Sequence, residues 1–478
     1  MRIASRQYSD ERHLVELDGR LSAAPDSVDL LFERACCLED LGWDQPAMQA
    51  YLAVLKADPR HLGALTNLGL MVGQRGDPAT GRALFTQALT HHPRAPVAHV
   101  NLGQALLDQG EVVSAEAQFE AALAIDPEFV AANRGLALLY EARGDDERAQ
   151  RQLERAFEKQ AAWTLPYTGT APPLRVLLLV SGRGADVVTH PFLDDRVMQT
   201  TMFVPDGFRN GTVLPEHDVV FNSIGDADRA RSSLERARAL IAQSPAAVIN
   251  SPQSVLATAR DRTAERLAGI DGTLVPRTER WARNDVVPEK LAQRGWTFPL
   301  LLRAPGYQAG RHFERVDEPA GLAAAVARLP GKELFVIAFA DLRATDGSVR
   351  KYRVLFIDGK LYPVHLAIGQ AWKVHYFSAD MTERADYRAE EARFLGDCGA
   401  VLGTRAMTAL AEIGLALGLD YGGIDFGIDA AGNVVVFEAN ATMAVYLPPA
   451  GEMFAYRRPA YGAVVAAVRA MIGDRARR

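Results

Sequence analysis

Cysteine is nearly absent from this chain: three residues in 478, at positions 36, 37 and 398. Adjacent cysteines rarely pair with each other and no C-x-x-C spacing exists, so neither a disulfide framework nor a zinc site is expected. There is no basic excess either. The net charge is −6 and the pI about 6.0, which argues against a nucleic-acid partner, because such proteins usually carry a basic face. No apolar run approaches the length that spans a bilayer, and residues 1–8 lack the apolar core of a signal peptide. A cytoplasmic protein with no membrane partner is the expectation. What remains is an ordinary globular composition, 48% apolar and 23% charged. The chain is too long for one core and is sized for roughly two to four domains.

The first third repeats itself. Prolines stand at 25, 59, 93 and 127, and glycines at 42, 76, 110 and 144, both with a period of 34. Small residues keep that register at Ala35, Gly69, Gly103 and Ala137, and again at Ala47, Gly81, Ala115 and Ala149. Tyr51, Phe85, Phe119 and Leu153 follow four residues after the second set. Small residues let paired helices approach, glycine turns the chain, and proline ends the second helix. The pattern resembles the tetratricopeptide repeat. It implies an all-α solenoid over 1–163, with a capping helix near 10–24 and a groove suited to a peptide or protein partner.

A proline-rich stretch, 164–173, reads as a linker. Beyond it, 174–181, 217–222 and 246–250 read as buried strands with a helical segment at 228–243, which points to a small α/β domain over 174–250. Ser181, Gly182, Arg183 and Gly184 follow the first strand. They lack the lysine and spacing of a P-loop and read as an ordinary strand-to-helix turn. The remainder, 251–478, mixes helices (251–268, 404–417, 460–472) with strands (298–303, 334–339, 351–357, 360–367), an α+β pattern.

Near the C-terminus two apolar runs flank 429–433, a hairpin signature. If 430–433 form a four-residue loop, Asp425 lies opposite Glu438. Asn440, two residues further on, then shares a face with Glu438. Like charges placed opposite one another are destabilising unless something positive sits between them. Hard divalent cations take such oxygen ligands. On spacing alone, a metal site and two solvated acids on a hairpin are equally open.

The order of elements narrows this. A helix carrying 258–262 precedes a strand ending in Arg303, a loop with Gly306 and Gly310, a strand with Arg353, and then the acid hairpin. This order resembles the ATP-grasp ligases, notably glutathione synthetase, D-alanine–D-alanine ligase and the glutamate-tail ligases, well over 250–475 and loosely over 174–250. The resemblance implies a pre-ATP-grasp domain (174–250) and an ATP-grasp domain (251–478). It implies that Asp425, Glu438 and Asn440 hold two Mg²⁺ ions bridging the phosphates of ATP. Arg262 and Arg303 fall at nucleotide-contacting positions where the family usually carries lysine. Gly306 and Gly310 would belong to a loop closing over the phosphates. Phe339 ends the adenine-contacting strand, with Asp341 as the candidate ribose contact. Arg353 matches a phosphate- or intermediate-binding arginine. Trp372, Lys373, Val374 and His375 resemble the Trp-Arg-x-Asn segment of the glutamate-tail ligases, which sets Lys373 near the transferred phosphoryl group.

The implied activity joins a carboxylate to an amine, or another nucleophile, through an acyl phosphate, releasing ADP and phosphate. One substrate or partner would be a peptide or protein on the repeats. Two alternatives stay open: a phosphotransferase on the same scaffold, and a repeat scaffold that only senses ATP, for which the arginine-for-lysine departures are the motive. The acyl donor and acceptor have no legible signature in 174–250 or 376–387.

Overall fold

A computed structural model of the chain describes residues 11–184, 186–208, 213–307, 310–374, 379–448 and 451–477. It divides into two compact units: 1–159 together with 446–455, and 160–445 together with 456–478.

In the first unit α1 (Glu11–Ala23) precedes four helix pairs: α2 (Val28–Asp40) and α3 (Asp44–Ala57), α4 (Leu62–Gln74) and α5 (Pro78–His91), α6 (Pro96–Asp108) and α7 (Val112–Ile125), α8 (Val130–Arg143) and α9 (Asp146–Phe157). The sequence period has a direct physical cause. Gly42, Gly76, Gly110 and Gly144 all take positive φ at the turn inside each pair, where a side chain would be strained. A β-carbon at Gly69 would stand 2.6 Å from the Phe85 ring, and one at Gly103 2.9 Å from Phe119, so the small positions are where aromatic rings press on a neighbouring helix. Cys36 and Cys37 are buried thiols. In the α2–α3 turn, Trp43 donates its indole N–H to the Pro448 carbonyl (3.0 Å), and Leu447 packs on the same core. Residues 446–455 therefore belong with the repeats and not with the 251–478 domain expected for them.

Among the described residues the second unit holds three sheets. The first contains β1 (Ala162–Thr164), β2 (Leu174–Leu179), β3 (Met198–Phe203), β4 (Val219–Asn222) and β5 (Ala247–Ile249), in the order β1-β3-β2-β4-β5. The pairs β3–β2, β2–β4 and β4–β5 are parallel, and β1 is antiparallel to β3. The 162–164 segment is thus a strand of this sheet, not the end of the solenoid. Helix α10 (Arg231–Ile241) meets the chain two residues past β2, where the Ser233 hydroxyl bonds that of Ser181 (2.9 Å), and the expected single helix over 251–268 is two, α11 (Pro252–Leu256) and α12 (Arg260–Leu267).

After β6 (Thr273–Leu274) comes an antiparallel sheet, β7-β10-β8-β9, made of β7 (Thr278–Ala282), β8 (Leu300–Arg303), β9 (Phe313–Val316) and β10 (Glu333–Ala338), with α13 (Pro288–Gln293) and α14 (Leu322–Arg328) between its strands. The third sheet runs β12-β11-β13-β14-β6, with β11 (Val349–Ile357), β12 (Lys360–Gly369), β13 (Tyr421–Ile428) and β14 (Val434–Asn440). Helices α15 (Ala385–Gly396), α16 (Cys398–Leu417) and α17 (Arg458–Ala476) complete the unit. By length and composition α16 could cross a membrane, contrary to the expectation from apolar run lengths. The helix breaks at Gly403 (φ 78°); beyond the break its buried residues Ala406, Ala409, Leu410, Ile413 and Leu417 recur at helical spacing, and α16 packs on β12, β13, β14 and α12, as a helix covering a sheet does.

Asn250 ties the first sheet to the third. It follows β5 directly, with φ of 56°. Its side chain bonds both backbone groups of Tyr421 (2.7 and 2.9 Å), and its N–H bonds Asp420 (2.8 Å). This fixes where β13 begins. Two residues on, a β-carbon at Gly423 would lie 2.5 Å from the Val354 carbonyl oxygen on β11. Backbone cannot yield as a side chain can, so Gly423→Ala is expected to cost about 1–3 kcal/mol, read as a lower denaturation midpoint with unchanged m-value. An unchanged midpoint would show that β11 and β13 have room to part.

Candidate functional site

Strand register assembles the site. Arg353 on β11 pairs with His365 on β12 and with Asp425 on β13, and Asp425 pairs with Glu438 on β14. Directly opposed residues share a face, so His365, Arg353, Asp425 and Glu438 form a row across four strands. Lys351, two residues before Arg353, lies on the same face. Asp425 does sit opposite Glu438, but by a different route from the one expected. The loop has five residues, 429–433, and a bulge that leaves Phe437 unmatched restores the pairing. Asp429 holds this loop by accepting from the Ala431 and Asn433 N–H groups (2.9 and 2.8 Å).

The two carboxylates meet cations. Asp425, 2% exposed, accepts from Arg353 Nε (2.6 Å), the terminal nitrogen of Arg353 (2.9 Å) and Lys351 Nζ (2.9 Å). Burial alone would raise its pKa, but Arg353 and Lys351 hold it well below the usual carboxylate range. Glu438 Oε1 accepts from Arg260 (2.8 Å) and lies 3.6 Å from Arg303. Burial is again outweighed, here by Arg260 and Arg303, and the pKa is lowered. Arg303 is itself buried; burial, aided by Arg260, pushes its pKa down to about 10, so it remains charged at neutral pH. Its guanidinium donates to the Tyr307 carbonyl (2.6 Å) and stands 5.5 Å from the Phe313 ring. His365 is fully enclosed, and burial together with Arg353 keeps it neutral.

Of the residues expected in the site, Arg303, Arg353, Asp425 and Glu438 are brought together. Gly306 and Gly310 lie in the β8–β9 loop, both with positive φ, and Lys373 Nζ donates to the Gly310 carbonyl (3.3 Å). Phe339 follows β10, its ring 6.1 Å from Trp372 and under the Arg315 guanidinium at 4.2 Å. Three expectations fare differently. Arg262 lies two residues beyond Arg260 on the same helix, a turn of about 200°, so Arg260 and not Arg262 faces Glu438. Asp341 is half exposed and accepts from the Arg343 N–H (3.1 Å). Asn440 turns its amide oxygen to the N–H and hydroxyl of Thr442 (both 2.9 Å). His375 lies outside the described residues.

Sequence reasoning missed Arg260, Lys351 and His365. Lys351 had a usable signal, the two-residue period from Arg353. Arg260 had none while 251–268 read as one helix. Its position is fixed by Asp228, which accepts from the Arg260 N–H (3.2 Å) and pairs with Arg280 on β7.

Within the row, four cations stand against two carboxylates, a surplus that Asp226 and Asp228 offset in part beside Arg303. Among the described residues no three His, Cys, Asp or Glu side chains gather to hold a metal ion. Hard oxygens are present, but both oxygens of Asp425 are already bonded by cations, and Glu438 keeps one oxygen that accepts nothing among the described residues. A bare divalent cation does not fit. One arriving with a polyanion does, because the polyanion balances the surplus charge.

Comparison with known proteins bears on the first unit. Tetratricopeptide repeat family models match residues 28–61, 66–128 and 106–165. Comparison with curated proteins returned no match. Similar solved structures include MamA from Desulfovibrio magneticus RS-1, at 20% identity over 31% of this chain and 84% of that one, TM-score 0.28. A thermophilic TPR protein of Thermus thermophilus has 24% identity over 30% of this chain and 80% of that one, TM-score 0.29. The VanG D-Ala:D-Ser ligase of Enterococcus faecalis has 12% identity over 63% of this chain and 100% of that one, TM-score 0.39. The N-terminal unit is a tetratricopeptide-repeat solenoid, followed by a mixed α/β region.

Proposed function

We propose that the second unit binds ATP and uses it to activate a carboxylate for attack by an amine or another nucleophile, with the repeats receiving a peptide or protein substrate or partner. The observation that carries this is the charge row: Arg260, Arg303, Lys351 and Arg353 around buried Asp425 and Glu438, with Arg303 bonded to Tyr307 beside Gly306. A nucleoside triphosphate with one divalent cation carries about two negative charges, which matches the surplus of the row. The order of elements resembling the ATP-grasp ligases supports the same reading.

In this reading Arg303, Arg260 and Lys351 hold phosphate oxygens, and Arg353 orients the group that receives the phosphoryl. Lys373, tethered to Gly310, brings the loop over the phosphates and keeps water from the acyl phosphate. Glu438 would hold Mg²⁺, which when bound supplies charge neutralisation at the phosphates. The amine then displaces phosphate from the acyl carbon, giving an amide, ADP and phosphate.

The test is ADP release by the purified full chain over amino acids, small carboxylates and candidate peptides, with mass spectrometry of products. Release of free phosphate in step with a new amide supports the ligase. A stable phosphorylated product makes it a phosphotransferase, and ATP binding without turnover on any mixture makes it a sensor. A second experiment separates neighbouring arginines. Arg260→Gln is expected to weaken binding of a non-hydrolysable ATP analogue about 10- to 100-fold, the worth of a charge-assisted hydrogen bond, while Arg262→Gln stays within about twofold. Equal effects would undo the placement of Arg260.

A further inference from the structure

We propose that Lys351 takes the place of a second divalent cation, so that the site works with one metal ion per bound nucleotide. The inference rests on the ATP reading above. The resemblance implied two ions shared among Asp425, Glu438 and Asn440; these side chains leave room for one. Asp425 Oδ2 already accepts from Lys351 Nζ and Arg353, and its Oδ1 from Arg353. A divalent ion reaching those oxygens would stand against two cations within a few ångströms, in a place 2% exposed, where water screens little. The Asn440 amide oxygen has two lone pairs, and Thr442 takes both. Of the three, only Glu438 has an oxygen uncommitted among the described residues.

Lys351 has what a substitute cation needs. Its side chain is 12% exposed, so it opens toward the site without being freely solvated. An ammonium has three donors; among the described residues one goes to Asp425 and two are left for phosphate oxygens. Its position is set twice: β11 places it one period from Arg353, and the carboxylate of Asp425 holds the tip. A lysine here delivers one positive charge at fixed geometry where an exchangeable ion would deliver two.

Manganese counts the ions. The full chain is titrated with Mn²⁺ in the presence of a non-hydrolysable ATP analogue, free Mn²⁺ being read by electron paramagnetic resonance and bound analogue by a radiolabel. The wild type is expected to bind one Mn²⁺ per analogue, Lys351→Ala two, and Lys351→Arg one, each variant checked for folding by circular dichroism. Two ions in the wild type overturn the inference. One ion in a folded Lys351→Ala overturns it too, because the lysine is then not what excludes the second. If Lys351→Ala does not fold, the wild-type count decides. Failure of the wild type to bind the analogue overturns the ATP reading, and this inference with it; binding with two ions overturns this inference alone.

Discussion

Asp425→Asn is expected to lower the proposed nucleotide-dependent turnover by about 10²–10³-fold and to destabilise the second unit by about 3–5 kcal/mol. The change is nearly isosteric, so the loss is electrostatic. Arg353 and Lys351 converge on this carboxylate at 2.6–2.9 Å, and removing its charge leaves two largely buried cations facing each other. Taking one partner from a buried pair costs more than the pair itself is worth, because the remaining charge has lost its water. The pH profile carries a second signature. The Asp425 pKa is held far below its unfolded value near 4, so the unfolded state binds more protons as acid is added. The contribution is fully present above about pH 4 and is lost as pH falls toward the native pKa. Denaturant midpoints from about pH 6 to about pH 2 should fall less steeply in Asp425→Asn than in the wild type. Parallel curves, or a variant as stable as the wild type at neutral pH, would mean that water or movement relieves the two cations.

Glu391→Gln is the second large effect, again about 3–5 kcal/mol, and it involves no residue of the site. Glu391, on α15, is fully buried. It accepts from Arg457 at 2.6–3.1 Å, from the Tyr456 hydroxyl (2.6 Å) and from the Leu366 N–H on β12 (3.3 Å). One carboxylate thus joins a helix, a strand and the chain just before α17. The neutral amide can still bond Tyr456 or Leu366 but leaves the Arg457 charge without its counter-ion. The double variant Glu391→Leu, Arg457→Met should recover most of the loss, since a packed apolar pair often replaces a buried ion pair at little cost. A single variant costing under about 1 kcal/mol, or a double variant no better than the single, would show that the pair is not the source of the stability.

The repeats were legible in the sequence because one arrangement is used four times: a glycine turn, and a small residue four positions before a large apolar side chain, recur every 34 residues. The hairpin and its two-residue face period were legible because they are short-range quantities, but its loop is five residues long and not four, and Asp425 meets Glu438 only through the bulge at Phe437. What escaped depends on phase or on partners. Arg260 and Arg262 cannot be told apart until the break between α11 and α12 sets the helix phase, and Arg260 owes its placement to Asp228, 32 residues earlier. Lys351 was readable in period but not in meaning, since a lysine beside a supposed metal carboxylate is recognised only once the ion pair is seen. β3 reads Met-Gln-Thr-Thr-Met-Phe and β9 Phe-Glu-Arg-Val. Neither has an apolar run or clean alternation, and both are strands because neighbouring strands supply partners.

The hairpin between β13 and β14 carries two irregularities that cancel. The five-residue turn slips the pairing by one position, and the unmatched Phe437 slips it back before Glu438. A bulge takes up one extra residue without moving the pairs on either side of it. Ile428 pairs with Val434 before it and Asp425 with Glu438 beyond it, so deleting Phe437 closes the bulge and keeps Glu438 opposite Asp425, while a residue lost from the turn leaves the Ile428–Val434 pair as it is. Single-residue length changes at these two places are therefore expected to be tolerated one at a time, whereas an insertion between Glu438 and Asn440 sends Asn440 to the opposite side of the sheet.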